Sequence, residues 1–490
     1  MRILSNPAIL VAGILALFGL LLSSFWTGYL ASDDALYWAA AGKWLVQFPY
    51  IGDSHWALRQ TLVLPMALAR AVLGSGPVAM VLPTILYSIA LLVMLTLWLR
   101  SLAGTTAALV GGALIATNPQ IITWSSTADI DPVKMFFVLA ATIGYLHAMK
   151  PRTGMPWGAL LGSGALAGLG YLSHETSLFA VAAIGLLFLG GYGMPRVRYL
   201  PMGAAFAAVL ACELLAMWVG TGDPLHRHRP TINLTHDATI SRWVDQGATV
   251  PILHPLIDPV TMLLMNQSFG LLAWIGVPLS VWLLRTRKLG PAAQRAVIVL
   301  AAIAVVWSLL SAGLWKVLPL TPRYFLMPAV IVSILAGIAI AELVAMRRNR
   351  LAWTLAGAML AANVAAVALS NRDLMFGENT LADIAATQGE IINTDPRTRL
   401  RADVILEWRG VSTKVVATPP KPGDLFFINP LRLPRDFAVN PAWQVVTVYD
   451  PPARPLASFV LRYLPAGIIP DKVLRKFTIR QPEVTLYRVR

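Results

Sequence analysis

Through the first 370 positions the chain repeatedly runs apolar for about 17 to 25 residues, the length a helix needs to cross roughly 30 Å of hydrocarbon. Eleven such stretches are read, at approximately 7–30, 77–99, 103–121, 132–149, 156–173, 175–193, 199–220, 260–284, 294–314, 324–346 and 351–370. They predict a mainly α, polytopic membrane protein with about 11 transmembrane helices. Residues 52–74 (GDSHWALRQTLVLPMALARAVLG) have another character: His55, Arg59 and Arg70 are interspersed with apolar residues, as in a helix lying in the membrane interface. After residue 370 the apolar runs shorten. A helix is predicted over 378–388 and strands at DLFFIN (424–429) and WQVVTVY (443–449), with turn clusters such as TPPKPGD between them. The expected organisation is a transmembrane domain over 1–370 followed by a small α/β soluble domain over 371–490. No internal or inverted repeat pairs one half of the chain with the other, which disfavours a transporter.

Charge changes this picture in one respect. The chain carries 39 Lys and Arg against 24 Asp and Glu, a net charge of +15, which in a soluble protein would suggest a nucleic-acid partner. Here only 13% of residues are charged, about half the usual share in a soluble domain, and the mean hydropathy is +0.65. Lipid bilayer, not nucleic acid, is the implied surrounding. The first stretch is too long for a removable signal peptide and reads as a retained anchor. With the N-terminus inside, thirteen basic residues from Arg2 to Arg350 fall in the inner connections and only Glu342 opposes them. That asymmetry sets the orientation, and an odd number of crossings places 371–490 outside. The single cysteine excludes a disulfide framework and any Cys-based metal site.

Acids gain nothing from the topology rule, so their positions carry more information. Of twelve before residue 371, ten fall on the outer side, and Glu213, inside the seventh stretch, reads as structural. Asp33 and Asp34 follow the first stretch in YLASDDALYW. Two readings are open for them: a helix N-cap, and a partly desolvated general base that accepts a proton from an attacking hydroxyl or amine. Asp129 and Asp131 open the fourth stretch in STADIDPVK, where capping explains one carboxylate better than two. His174 and Glu175 sit at the outer turn of YLSHETSLF. The long loop after the seventh stretch holds His226, Arg227, His228 and Arg229, a mixture suited to phosphate or to anionic headgroups and without the spacing of a dedicated metal site. Lys316, Arg323 and Tyr324 add two cations and an aromatic at the same level. No P-loop or dinucleotide glycine motif is present.

Taken in order, these segments resemble the GT-C superfamily of polytopic glycosyltransferases, in the branch of protein O-mannosyltransferases and the lipid A aminoarabinose transferase. The family's Asp-Glu-Ala-x-Tyr motif is matched by Asp33, Asp34, Ala35 and Tyr37, with Asp in the second acidic place. Its interfacial helix is matched by Ser54–Gly74, without the Pro-Pro pair and with His55 where relatives keep a Lys or His. The acid opening the fourth helix is matched by Asp131, the polar pair closing the fifth by His174 and Glu175, and the late Arg-Tyr pair by Arg323 and Tyr324.

The resemblance implies an inverting hexosyl- or pentosyltransferase in the bacterial inner membrane. Its donor would be a polyprenyl-phosphate sugar and its acceptor a lipid, glycan or protein on the outer face. Asp33 would be the general base, supported by Asp34 and Asp131. Donor phosphate and substrate would be met by His55, Arg59, Asp129, His174, Glu175, Arg227, Arg229, Lys316, Arg323 and Tyr324, with a divalent cation (Mg, Mn or Zn) as a possible cofactor. The alternatives are a transporter or flippase, and a polymerase or ligase, of lipid-linked glycans.

Overall fold

The computed structural model describes residues 6–52, 54–150, 154–229, 257–286, 289–313, 321–370, 374–433, 437, 439–451 and 481–490. Among the described residues, six helical segments are long and apolar enough to cross a membrane: Pro7–Ser24, Pro77–Ala116, Arg196–Thr221, Pro291–Gly313, Pro322–Ala345 and Asn349–Ala368. The protein is a multi-pass, mainly α membrane protein with a small sheet near its C-terminus.

Helix α1 (Pro7–Ser24) starts on the side-chain cap of Asn6, and α2 (Asp33–Val46) follows an irregular link. Helix α3 (Gln60–Leu73) is the amphipathic segment. The range α4 (Pro77–Ala116) holds both expected stretches as two helical segments that meet at Gly104, whose backbone is not helical and whose φ of 86° suits a residue without a Cβ; the segments fold back so that Gly111 and Gly112 face Leu99 and Thr96. The second stops at Asn118, whose side chain accepts the amides of Gln120 and Ile121 and so begins the short α5 (Pro119–Ser125). Helices α6 (Ile130–Ala148), α7 (Trp157–Ser173) and α8 (Leu178–Leu189) fall on expected stretches, as does α9 (Tyr199–Thr221).

The stretch expected as one helix over 260–284 is broken. It comprises α10 (Ile257–Met265), a 3-10 turn at Gln267–Phe269, a wide π-type turn at Leu272–Gly276 and α11 (Val277–Arg285). Asn266 accepts the Ser268 amide and Gly270 takes φ 52°, so the helical hydrogen-bond ladder ends and restarts between them. Helices α12 (Pro291–Gly313), α13 (Leu326–Ala345) and α14 (Asn349–Ser370) complete the bundle. Where α4 and α13 cross, Gly337 lies so near Gly111 that a Cβ on Gly337 would stand 2.7 Å from the Gly111 nitrogen.

Helices α15 (Phe376–Thr387) and α16 (Pro396–Trp408) accompany five strands: β1 (Ile392–Thr394), β2 (Val415–Val416), β3 (Leu425–Ile428), β4 (Gln444–Tyr449) and β5 (Val484–Arg488). The strand order is β2-β1-β3-β5-β4; β1 runs parallel to β2 and β3, whereas β5 is antiparallel to β3 and β4. One apolar cluster joins this unit to the bundle: Tyr37, Trp38, Leu62 and Val63 pack in the same core as Leu381, Ile405, Leu406 and Phe427. The sheet unit is thereby seated on α2 and α3, the elements that follow the paired acids.

Candidate active site

The N-terminal end of α6, the start of α2 and the turn before α13 meet at one end of the bundle. Asp129 is the N-cap of α6 and accepts the Asp131 amide at 2.7 Å, which leaves Asp131 in the first helical turn. Three residues on, one helical turn along, Lys134 pairs with Asp131 and lies 3.4 Å from the Thr176 hydroxyl. Arg323 arrives from the turn Pro322–Phe325 and sits among three carboxylates, 3.4 Å from Asp33, 3.8 Å from Asp129 and 3.4 Å from Asp131. The Trp124 ring lies 5.5 Å from its guanidinium.

The two adjacent acids after α1 have different environments. Asp34 is buried and accepts three backbone amides, from Leu30 at 2.5 Å, Ser32 at 2.6 Å and Ala35 at 2.9 Å, so its carboxylate holds the turn. Asp33 has a 27% exposed side chain, against 5% for Asp129 and 2% for Asp131. It is the acid of this cluster that a substrate can approach. A cavity of about 60 Å³ opens beside it, lined by Ser32, Asp34, Thr127, Asp129 and Arg323 among others. Its size suits a reacting oxygen or a bound water and excludes a sugar ring.

Burial pushes the Asp129 carboxyl up to about 7, with Arg323 pulling it down and Asp131 pushing it further up. Of the five charges that meet here, three are carboxylates and two are cations, so a proton on Asp129 balances the set. Asp131 Oδ2 and Arg323 Nε remain buried without a hydrogen-bond partner although they lie at ion-pair distance, and Arg59 Nε is likewise unpartnered. Such groups mark donor and acceptor capacity that the protein itself does not use.

Arg59 is buried and donates to the Tyr37 hydroxyl, so the tyrosine of the first motif orients a cation of the second. His55 stacks on Trp56 with ring centroids 3.7 Å apart, and burial and the neighbouring Arg59 hold its imidazole down to about 4. His174 Nδ1 faces the amide and hydroxyl of Thr176, at 3.2 and 3.0 Å; burial and the nearby Arg59, Lys134 and Arg323 keep the ring neutral.

Arg227 behaves differently from the expectation of phosphate binding. It is buried, donates to the carbonyls of Leu58, Tyr171 and Leu172, and pairs with Glu213 at 2.9 Å and Glu175 at 3.4 Å, so it clamps the link before α3 to α7 and α9. Arg229 pairs with Asp223 at 2.6 Å and its side chain is 71% exposed. Tyr324 presents its backbone carbonyl to Trp307 Nε1 and Ser311 Oγ. Lys316 lies outside the described residues.

Lys134 and Trp124 belong to the cluster and are absent from the sequence reading. The Asp131–Lys134 spacing of three was a visible signal for the former; nothing in the sequence marked the latter. Among the described residues no group of three or more His, Cys, Asp and Glu side chains is placed to hold a metal ion. The three carboxylates converge on the Arg323 guanidinium instead.

Below this end, Pro328, Ala329, Val332 and Leu335 of α13 form one wall of an apolar groove of about 350 Å³, completed by Leu272, Val277, Val281, Ala301, Ala304 and Leu309. The groove begins within two helical turns of Arg323.

Residues 63–218 match the family of dolichyl-phosphate-mannose-protein mannosyltransferases. No curated protein matches the chain. Among solved structures, ArnT from Cupriavidus metallidurans in its apo state superposes with a TM-score of 0.60 at 13% identity, over 90% of this chain and 95% of that one. The same protein bound to undecaprenyl phosphate gives 0.57 at 11% identity, over 98% of each chain. The chain thus shares the ArnT fold, and within it residues 63–218 match the mannosyltransferase family.

Proposed function

We propose that the protein is an inverting glycosyltransferase that moves a sugar from a polyprenyl-phosphate donor to a lipid, glycan or protein acceptor, with Asp33 as general base. One observation carries the reading: the accessible carboxylate of the acid cluster pairs with Arg323, and the helix that Arg323 precedes, α13, lines an apolar groove that suits an isoprenoid tail. That a solved structure of the same fold was obtained with undecaprenyl phosphate supports this donor class.

In the reaction the acceptor oxygen attacks the anomeric carbon of the sugar while the bond from that carbon to the phosphate oxygen breaks. Asp33 takes the acceptor proton. Charge grows on the departing lipid phosphate, which the guanidinium cations of Arg59 and Arg323 would stabilise. Asp129 and Asp131 keep Arg323 in place. The carboxylates that would ligate a divalent cation are turned to Arg323.

The cations support an orientation as well. Lys150 and Arg295 lie at the far ends of α6 and α12 from Asp129, which is the arrangement expected if the acid cluster faces the outside of a bacterial inner membrane and the N-terminus the cytoplasm. On this reading residues 371–490 form an outer domain.

The test is comparison of lipid-linked sugars and envelope glycans by mass spectrometry in cells with and without the protein. A polyprenyl-phosphate sugar should accumulate when the protein is lost. An unchanged profile would remove the assignment.

A further inference from the structure

Asp33 occupies the first position of α2, so the aim of its carboxylate depends on the segment before it, Gly28–Ser32. That segment contains two left-handed residues, Gly28 at φ 69° and Ala31 at φ 52°. For alanine this conformation costs roughly 1–2 kcal/mol, so the turn persists only where contacts hold it. Asp34 supplies one set of contacts through the Leu30, Ser32 and Ala35 amides. The other comes from the sheet unit: Arg401 of α16 donates from Nη2 to the Leu30 carbonyl at 2.6 Å and from Nη1 to the Ala31 carbonyl at 3.4 Å. Arg401 is in turn 3.6 Å from Glu378, which is fully buried and also bound by Arg432 at 2.7 Å.

We propose that Arg401 is a positioning residue for Asp33, through which residues 376–490 set the geometry of the transfer step. The proposal rests on the reading of Asp33 as the base. Seating of the unit on the bundle is provided elsewhere, by Arg70 with Glu407 at 2.6 Å and by Trp408 against Tyr29 and Trp38. Those contacts act on side chains, whereas Arg401 reaches the backbone of the turn that aims Asp33. A carboxylate displaced by about 1 Å costs up to about a hundredfold in rate without changing how tightly the donor lipid is held.

The test uses the full chain in lipid vesicles. Arg401→Gln, Arg401→Lys and Asp33→Asn are compared with Arg409→Gln, which breaks an exposed pair with Asp383 at the C-terminal end of α16. Turnover is measured with lipid-linked sugar extracted from cells lacking the protein, and affinity with undecaprenyl phosphate by tryptophan fluorescence. Arg401→Gln should lower turnover ten- to a hundredfold while undecaprenyl phosphate affinity and melting temperature stay near wild type. Arg401→Lys, which keeps the charge on a single nitrogen in place of the two that reach Leu30 and Ala31, should fall between, and Arg409→Gln should match wild type.

Wild-type turnover in Arg401→Gln overturns the proposal, as does a loss that follows affinity and melting temperature together. Should the Gln variant not fold, wild-type turnover in Arg401→Lys overturns it equally. Retained turnover in Asp33→Asn removes the base assignment; an inactive Asp33→Asn beside a fully active Arg401→Gln removes the positioning role alone.

Discussion

Arg323 and Asp33 are 290 residues apart in the chain and 3.4 Å apart in the fold. The contact joins the turn before α13 to the first residue of α2 and leaves Asp33 as the one carboxylate of the three that is partly open to solvent. Asp33→Asn keeps size and hydrogen bonding while removing basicity. Transfer should fall by at least about a hundredfold, the usual scale of general-base loss, with the melting temperature in detergent nearly unchanged. Transfer within a few-fold of wild type would reject Asp33 as base.

Arg323 has a second role, as the counter-ion of Asp129 and Asp131. Arg323→Gln leaves those buried acids without their shared cation, and breaking one side of a buried pair costs about 3–5 kcal/mol. The variant should be inactive and clearly less stable. Arg323→Lys restores the charge without the planar fork that reaches three acids, and is expected to recover stability in part and little activity. Denaturation in detergent and a transfer assay separate the two effects.

Protonation should be visible in stability. The Asp129 carboxyl titrates near 7 when folded and near 4 in an unfolded chain, so the folded state holds its proton more tightly; this contribution is present at low pH and is lost as pH rises from about 4 to about 7. His55, held down to about 4 from 6.5, has the opposite effect: its contribution grows as pH rises through that interval. Asp129→Asn should therefore gain stability with rising pH more steeply than wild type, and His55→Gln less steeply. Melting temperatures at pH 5 and pH 7.5 check the sign of each difference.

The apolar groove predicts a separation of lipid length from chemistry. Ala304→Trp should fill it between α11, α12 and α13. KM for a long-chain polyprenyl donor is expected to rise about tenfold, with kcat and the use of a donor carrying a short isoprenoid little changed. An equal effect on both donors would show that the tail lies elsewhere.

Arg227 separates a structural cation from a substrate-binding one. Because its guanidinium is committed to three carbonyls and two carboxylates, Arg227→Gln should cost about 3 kcal/mol or more in stability. Residual folded protein should keep its donor KM, as steady-state kinetics on the folded fraction would show.

Much of this architecture is legible in the sequence because lipid imposes lengths and periodicities. The short apolar runs at 424–429 and 443–449 became β3 and β4, and the helix expected at 378–388 became α15. Hydropathy does not report where a helix bends or stops, so the break at Asn266–Gly270 was invisible to it, whereas the separation of 77–99 from 103–121 was legible and falls at Gly104. The acids at 33, 129 and 131 were conspicuous because carboxylates are scarce in such a chain. Their convergence on Arg323 was not, since no local pattern links residues almost 300 positions apart. Arg227 shows the converse: beside Arg229 in a cationic loop it reads as a phosphate ligand, and only the surrounding carbonyls reveal its structural use.

The near-contact of Gly111 and Gly337 has a consequence well away from itself. Gly337 lies fourteen residues below Arg323, roughly 21 Å along the helix, whereas α4 beyond Gly111 leads through α5 to Asp129. The crossing thus serves as the datum from which the height of the arginine over the carboxylates is fixed. A methyl group added there, deep in the hydrocarbon and far from any substrate, should tilt that datum and be read in an assay as a lesion of the catalytic chemistry.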